Sequence, residues 1–319
     1  MDPLEIVRAI SFFSMTVLGI CGNSLLLALF SWLAYQGPGL LTSEVILLNL
    51  TTANLVMAMT RGLPNSLYIL GLPNVFNDTQ CRLLVYVSRI SRAMSICLTC
   101  LLSCFQCVTI MSTSVSCMQV KVRIQAYVGL IIVLLLMVNA TICIMPLIYA
   151  VSGTNMTNLE YSFRISYCIV IVPDRLSFLS NSFALFARDL VFVVGMSFAS
   201  YAILYALYKH GKQVKTIRSS ERSQSVSAEA RASKTVSTLV ALYVLFFGID
   251  NSIWFYQSTA PKNILTSISD IRYFFSVCYT SVFPFVILLF NRKLLETIRG
   301  CTNEKACSME GITVLTIVH

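Results

Sequence analysis

Seven stretches of this chain are long and apolar enough to cross a lipid bilayer, a property few soluble folds tolerate. A spanning helix needs about 20 mainly apolar residues. The runs Ile10–Leu33, Val45–Leu70, Cys81–Met111, Gln125–Ala150, Leu176–Tyr208, Lys234–Tyr256 and Ile271–Phe290 all satisfy this. They are apolar nearly all round, as lipid-facing helices are. Strand-length alternating segments are absent, which argues against an outer-membrane barrel. Composition agrees: 12% of the 319 residues are charged, where soluble domains carry about 25%. The fold class expected is an all-α membrane protein, a seven-transmembrane-helix bundle over residues 1–295, with a short tail over 296–319.

The net charge of +9 raises the possibility of nucleic acid. That reading needs a basic face with base-reading side chains, whereas these cations cluster in short segments between apolar runs. No nucleic acid is expected as a partner; the lipid bilayer is. No basic segment precedes the first run and no small-residue cleavage site follows it, so it reads as a retained helix and not a signal peptide.

Lysine and arginine in short loops set orientation. The segment after run five holds Lys209, Lys212, Lys215, Arg218, Arg222, Arg231 and Lys234. The loop after run three holds Lys121 and Arg123, and the tail holds Arg292, Lys293, Arg299 and Lys305. These thirteen cations share one side, against Arg8, Arg82, Arg164, Arg175 and Lys262 on the other. The expectation is a multi-pass plasma-membrane protein with its N-terminus extracellular and its tail cytoplasmic. The glycosylation sequons at Asn77 and Asn155 fall on the outer side, while those at Asn49 and Asn139 lie inside apolar runs. Residues 209–231 read both as a solvated basic linker beside anionic lipid and as a docking surface for an intracellular partner.

Cys97, Cys100, Cys104 and Cys107 have a spacing that invites a metal reading, since all four share one helical face. Inside an apolar run the simpler reading is a stripe of small residues for close helix packing, and no metal or cofactor is expected. Cys81 and Cys168 are the two cysteines placed outside, where disulfides persist. A bridge between them would pin the fourth-to-fifth connection over the bundle; the alternative is a pair of free surface thiols.

Ionisable residues inside spanning segments are costly and are functional candidates by default. Here they are Arg61, Arg89, Arg92, Arg188, Asp189 and Asp250, with Asp270 and Arg272 at the start of run seven. Arg92 lies about 16 Å along the helix from Cys81, at 1.5 Å per residue. Structural pairing of Arg89 or Arg92 with Asp189 or Asp250 is one reading. An outward-open cavity with surplus positive charge is the other, and it would favour an anionic or carbonyl-bearing ligand. Ser88, Arg89, Arg92, Arg188, Asp189, Asp250 and Arg272 form the candidate ligand set. No nucleophile–base pair occurs at membrane depth, so an enzyme is not expected. Asn23 and Asn49 are candidate hydrogen-bonding links among runs one, two and seven, and Pro146 and Pro284 candidate bend points.

Four segments carry a resemblance: "NLTTANLVMAMTRGLP", "SRISRAMSICLTCLLSCFQCVTI", "ARDLVFVVGMSFASY" and "SAEARASKTVSTLVALYVLFFGID". In order and spacing they resemble vomeronasal type 1 receptors, in particular the fish olfactory receptors related to class A, from about Leu18 to Leu294. The resemblance implies a chemosensory, G-protein-coupled receptor for small molecules, binding within the bundle and partnering a heterotrimeric G protein. It also implies the Cys81–Cys168 disulfide and a glycan at Asn155. Gln106, Lys121, Arg123, Lys212, Lys215 and Lys234 are the residues expected at the G-protein side. Where general rhodopsin-like receptors carry Asp-Arg-Tyr, this chain has Phe105-Gln106-Cys107. Where they carry Asn-Pro-x-x-Tyr, it has Phe283-Pro284-Phe285-Val286-Ile287. The rival readings are a small-solute transporter or channel and a bitter-taste-type receptor.

Overall fold

The computed structural model describes residues 3–37, 39–72, 75–111, 115–152, 162–165, 167–214, 222–259, 266–291 and 294–297. Its frame is a set of long helices, because a chain crossing lipid must satisfy its backbone groups within each segment. They are α1 (Pro3–Gln36), α2 (Thr42–Met57) running through a widened π turn (Ala58–Gly62) into α3 (Leu63–Ile69), α4 (Asp78–Ile110), α5 (Val115–Ile142), the short α6 (Met145–Tyr149), α7 (Arg175–Val214), α8 (Arg222–Thr259) and α9 (Thr266–Phe290). Among the described residues six helices are long and apolar enough to span a membrane, and Phe274–Phe290 of α9 adds a shorter apolar segment.

Several helices overrun the apolar runs and one falls short, which corrects three expectations. Lys121 and Arg123, expected in a loop, lie on α5, which starts at Val115. Residues 209–231, expected as a linker, are helical up to Val214 and again from Arg222. The fourth run, expected to reach Ala150, instead ends its helix at Ile142. Pro146 then sits in the first turn of α6, where its missing N–H costs nothing. Pro284 lies inside α9.

α4 is the central post, packed against α2, α5, α7 and α8, while α9 packs between α1 and α8. Its start is fixed by a reciprocal cap: Asn77 accepts the Gln80 N–H at 2.9 Å, and the Gln80 side chain accepts the Asn77 N–H at 3.0 Å. Asp174 caps α7, accepting the Ser177 N–H at 2.7 Å, which holds its carboxyl below the ordinary carboxylate range. Beside the start of α4 lies a small antiparallel sheet, ordered β1 (Ala150–Ser152), β3 (Cys168–Ile171), β2 (Ser162–Ile165). Ala150 faces Val170 and Ser152 faces Cys168 across the first ladder.

The sheet is tied to α4 at several points. Cys81 and Cys168 form a disulfide. Arg82 donates to the Ala150 carbonyl at 3.2 Å, and Asp78 accepts the Ser152 N–H at 2.7 Å. Cys81, Val85, Tyr167, Cys168, Val170 and Val172 bury together beneath it. A second tie reaches α2: the Tyr167 hydroxyl donates to the Thr60 carbonyl at 3.1 Å, inside the π turn.

Candidate functional site

Three helices bring buried charge to one junction. Arg92 of α4 meets Asp250 of α8 at 2.5 Å and Asp189 of α7 at 3.9 Å. Asp189 is held in turn by its neighbour Arg188, whose Nε donates to it at 2.8 Å. Arg188 also reaches across to α5 and its end, donating to Asn139 Oδ1 at 3.3 Å and to Cys143 Sγ at 3.4 Å. Asp189 and Asp250 are 6% and 3% exposed, so each needs a cation close by. Arg92 and Arg188 thus both pair with carboxylates. Two arginines face two carboxylates here, so this junction carries no surplus positive charge of its own.

Next to the junction is a narrow opening. Arg92 and Ser95 of α4, Tyr243, Phe246 and Asp250 of α8, Ser276 and Tyr279 of α9, and Met57 of α2 line it. Residues 88, 92, 95 and 99 fall on one face of α4 at helical spacing, with Ser88, Ser95 and Thr99 buried and Arg92 half-buried. The tyrosines pack edge to face with centroids 4.8 Å apart. Tyr279 hydroxyl is within 3.4 Å of Thr99 Oγ1, and Ser95 donates to Asn54 Oδ1 at 2.9 Å. An apolar slot with a few fixed polar groups is the usual form of a small-molecule site.

The other expected residues fall differently. Arg61 points from the π turn to α9, donating to Ser276 Oγ at 3.0 Å, and so borders the opening through that serine. Arg89 is half-buried one turn toward Cys81 and outside the lining; Ser88 is buried and also outside it. The side chain of Arg272 lies outside the described residues, as do Asn155, Lys215 and the side chain of Lys212. Asn77 is exposed at the start of α4. Gln106 sits near the end of α4, Lys121 and Arg123 in the first turns of α5, and Lys234 twelve residues into α8, all toward the end of the bundle away from the sheet. Asn23 does link helices, donating to the Thr280 carbonyl at 2.9 Å, whereas Asn49 donates to Val45 within its own helix. Cys100 of the cysteine stripe lies against Gly195 of α7.

Sequence reasoning passed over Tyr243, Tyr279, Phe246 and Ser276. A signal existed for the two tyrosines: such residues concentrate at membrane interfaces, and these stand well inside their runs.

The family model of the vomeronasal organ pheromone receptor family matches residues 6–300. Olfactory receptor class A-like protein 1 of Danio rerio is 35% identical over 96% of both chains. Vomeronasal type-1 receptor 1 of Homo sapiens is 26% identical over 94% of this chain and 85% of that one. Among solved structures, squid rhodopsin superposes with a TM-score of 0.73 at 14% identity, covering 93% of this chain and 85% of that one, a likeness of fold.

Proposed function

The chain belongs to the vomeronasal organ pheromone receptor family of G-protein-coupled receptors, and on that premise we propose that it detects a small molecule in the opening beside Arg92 and Asp250. It is a receptor and not an enzyme. It sits in the plasma membrane with the sheet and the N-terminus outside and residues 296–319 in the cytoplasm, in keeping with the bias of its loop cations. Asn77 and Asn155 carry glycans on the outer side.

The observation that carries the binding reading is the opening itself: a guanidinium and a carboxylate beside three aromatic rings, Tyr243, Phe246 and Tyr279. A guanidinium offers two parallel donors to a carboxylate or carbonyl, which supports a small acid or carbonyl compound as the ligand. Agonist binds one arrangement of α4, α7, α8 and α9 better than the resting one and shifts the population toward it. The far end, with Gln106, Lys121, Arg123, Lys212, Lys215 and Lys234, then receives a heterotrimeric G protein by a helix-in-groove contact.

Expression with a promiscuous G protein and a calcium readout tests the reading, using panels of small acids, amines, steroids and bile salts. Acids are expected to outperform their neutral analogues. Equal responses overturn the anionic preference; solute flux in proteoliposomes without any G protein overturns the receptor reading.

A further inference from the structure

We propose that Arg92 is a switch that exchanges carboxylates on activation, leaving Asp250 of α8 for Asp189 of α7. The idea rests on the receptor reading above and names the contact through which that site acts.

One guanidinium faces two carboxylates on two different helices, at 2.5 Å and 3.9 Å. The two are not equivalent. Asp189 is anchored by Arg188, which is itself anchored by Asn139 and Cys143, so it belongs to a fixed block of α4, α5 and α7. That block is drawn close, since Cys100 of α4 lies where a Cβ on Gly195 of α7 would meet its sulfur at 3.3 Å. Asp250 belongs to α8, and Arg92 ties it to α4.

The opening decides which carboxylate a ligand disturbs. Arg92 and Asp250 line it and Asp189 does not. A ligand group that binds Arg92 from that side competes with Asp250. A buried guanidinium deprived of a partner is costly, and Asp189 stands ready to take it with a small side-chain rotation. The block of α4, α5 and α7 stays intact while α8 is untied. Asp250 lies 17 residues from Ser233, near the far end of the membrane-spanning part of α8, or about 25 Å along the helix, so a small tilt at the junction becomes a large displacement there. Two discrete pairings of one arginine give the bistable element that population shift requires.

The test needs no ligand, because the two aspartates are expected to move ligand-free activity in opposite directions. Full-length receptor in membranes, at matched surface expression, is assayed for nucleotide exchange on a purified promiscuous heterotrimer. Asp250→Asn weakens the resting pair and is expected to raise exchange about fivefold or more, a typical allosteric coupling. Asp189→Asn weakens the active pair and is expected to lower exchange below wild type. A merely structural ion pair predicts that both variants lose expression or activity alike, and that result overturns the proposal, as does an Asp250→Asn receptor in which neither exchange nor the distance between the inner ends of α7 and α8 changes.

The double variant Arg92→Asp with Asp250→Arg covers the case in which a single variant fails to reach the surface. It restores the α4–α8 pair but turns Asp189 into a like charge, so exchange at or below wild type is expected; exchange above wild type overturns the idea. Energy transfer between fluorescent amino acids encoded at positions 208 and 230, outside the residues assigned to the G protein, separates the two hypotheses. A change in that distance in Asp250→Asn without a change in exchange retains the switch and rejects the G-protein reading. An unchanged distance rejects the switch.

Discussion

The two sides of the bundle hold their helices together by different means. The seam between α1, α2 with its π turn and α3, and α9 rests largely on close approach and neutral hydrogen bonds, beside the bond from Arg61 to Ser276. A Cβ on Gly22 would come within 2.9 Å of Pro284, and one on Gly62 within 2.9 Å of Thr16. Asn23 donates to the Thr280 carbonyl, Ser281 to the Met15 carbonyl, and Thr16 and Ser66 share a hydrogen bond of 3.1 Å. On the α4–α7–α8 side the link is ionic, and its arginine has two acceptors. Lipid supplies no hydrophobic drive between helices, so close packing and small polar contacts are the ordinary means of association. The neutral seam follows that rule and has one geometry. The charged junction departs from it, and with two acceptors it has two. Rigidity and switching are thereby assigned to different halves of one bundle.

Removing the arginine breaks the comparison most severely. Arg92→Ala takes from the buried Asp250 the cation that meets it across the α4–α8 contact, and losing one partner of a buried pair costs about 3–5 kcal/mol. Thermal unfolding of the purified receptor in detergent should show a larger fall than any of the substitutions that follow. An unchanged midpoint would mean the junction holds nothing. Gly22→Ala should come next, because the added methyl meets the stiff ring of Pro284. Overpacking of that kind costs about 1–3 kcal/mol. Gly129→Ala is the control: a Cβ there meets nothing within 4 Å, and its midpoint should not fall. If both glycines tolerate alanine equally, the seam is not close-packed.

The presence of the junction was legible in the sequence, but of the seam only Asn23 as a link was, and the details of neither. The spanning segments were visible because hydropathy records what lipid demands. Helix ends were not, because a helix continues into water wherever its backbone can: Lys121 and Arg123 read as a loop and stand on α5. The charged set was visible too, since arginine and aspartate stand out in an apolar run. Which partner each takes depends on helix rotation, and that emerges only when α4, α7 and α8 are packed. Tyr243 and Tyr279 were missed because an aromatic ring counts as apolar even where its hydroxyl turns inward. The π turn left no hydropathy mark at all, yet it sends Arg61 to Ser276 and carries the Thr60 carbonyl that Tyr167 uses.

That last contact gives a subtler test of what the neutral side supports. Tyr167→Phe keeps the ring against Phe76, 5.8 Å centroid to centroid, and removes only the hydroxyl that reaches Thr60. A hydrogen bond of this sort contributes about 0.5–1.5 kcal/mol. The stability loss should fall in that range, while the Cys81–Cys168 bridge keeps the sheet in place. A loss as large as that of Arg92→Ala would show that the sheet, and not the junction, organises the bundle.

The smallest effect is expected at Asn23, although it is wholly buried and bridges α1 to α9. Its Nδ2 donates twice, to Gly19 at 2.7 Å and Thr280 at 2.9 Å. Its Oδ1 is buried with no hydrogen-bond partner among the described residues. Asn23→Ala therefore removes a useful donor and a costly acceptor together. Interhelical polar contacts in membranes average about 0.6 kcal/mol, and relief of the unpartnered oxygen offsets part of that. The unfolding midpoint should barely move, and ligand-free nucleotide exchange should stay at the wild-type level. A marked rise in exchange would put switching into the neutral seam and erase the division of labour between the two halves.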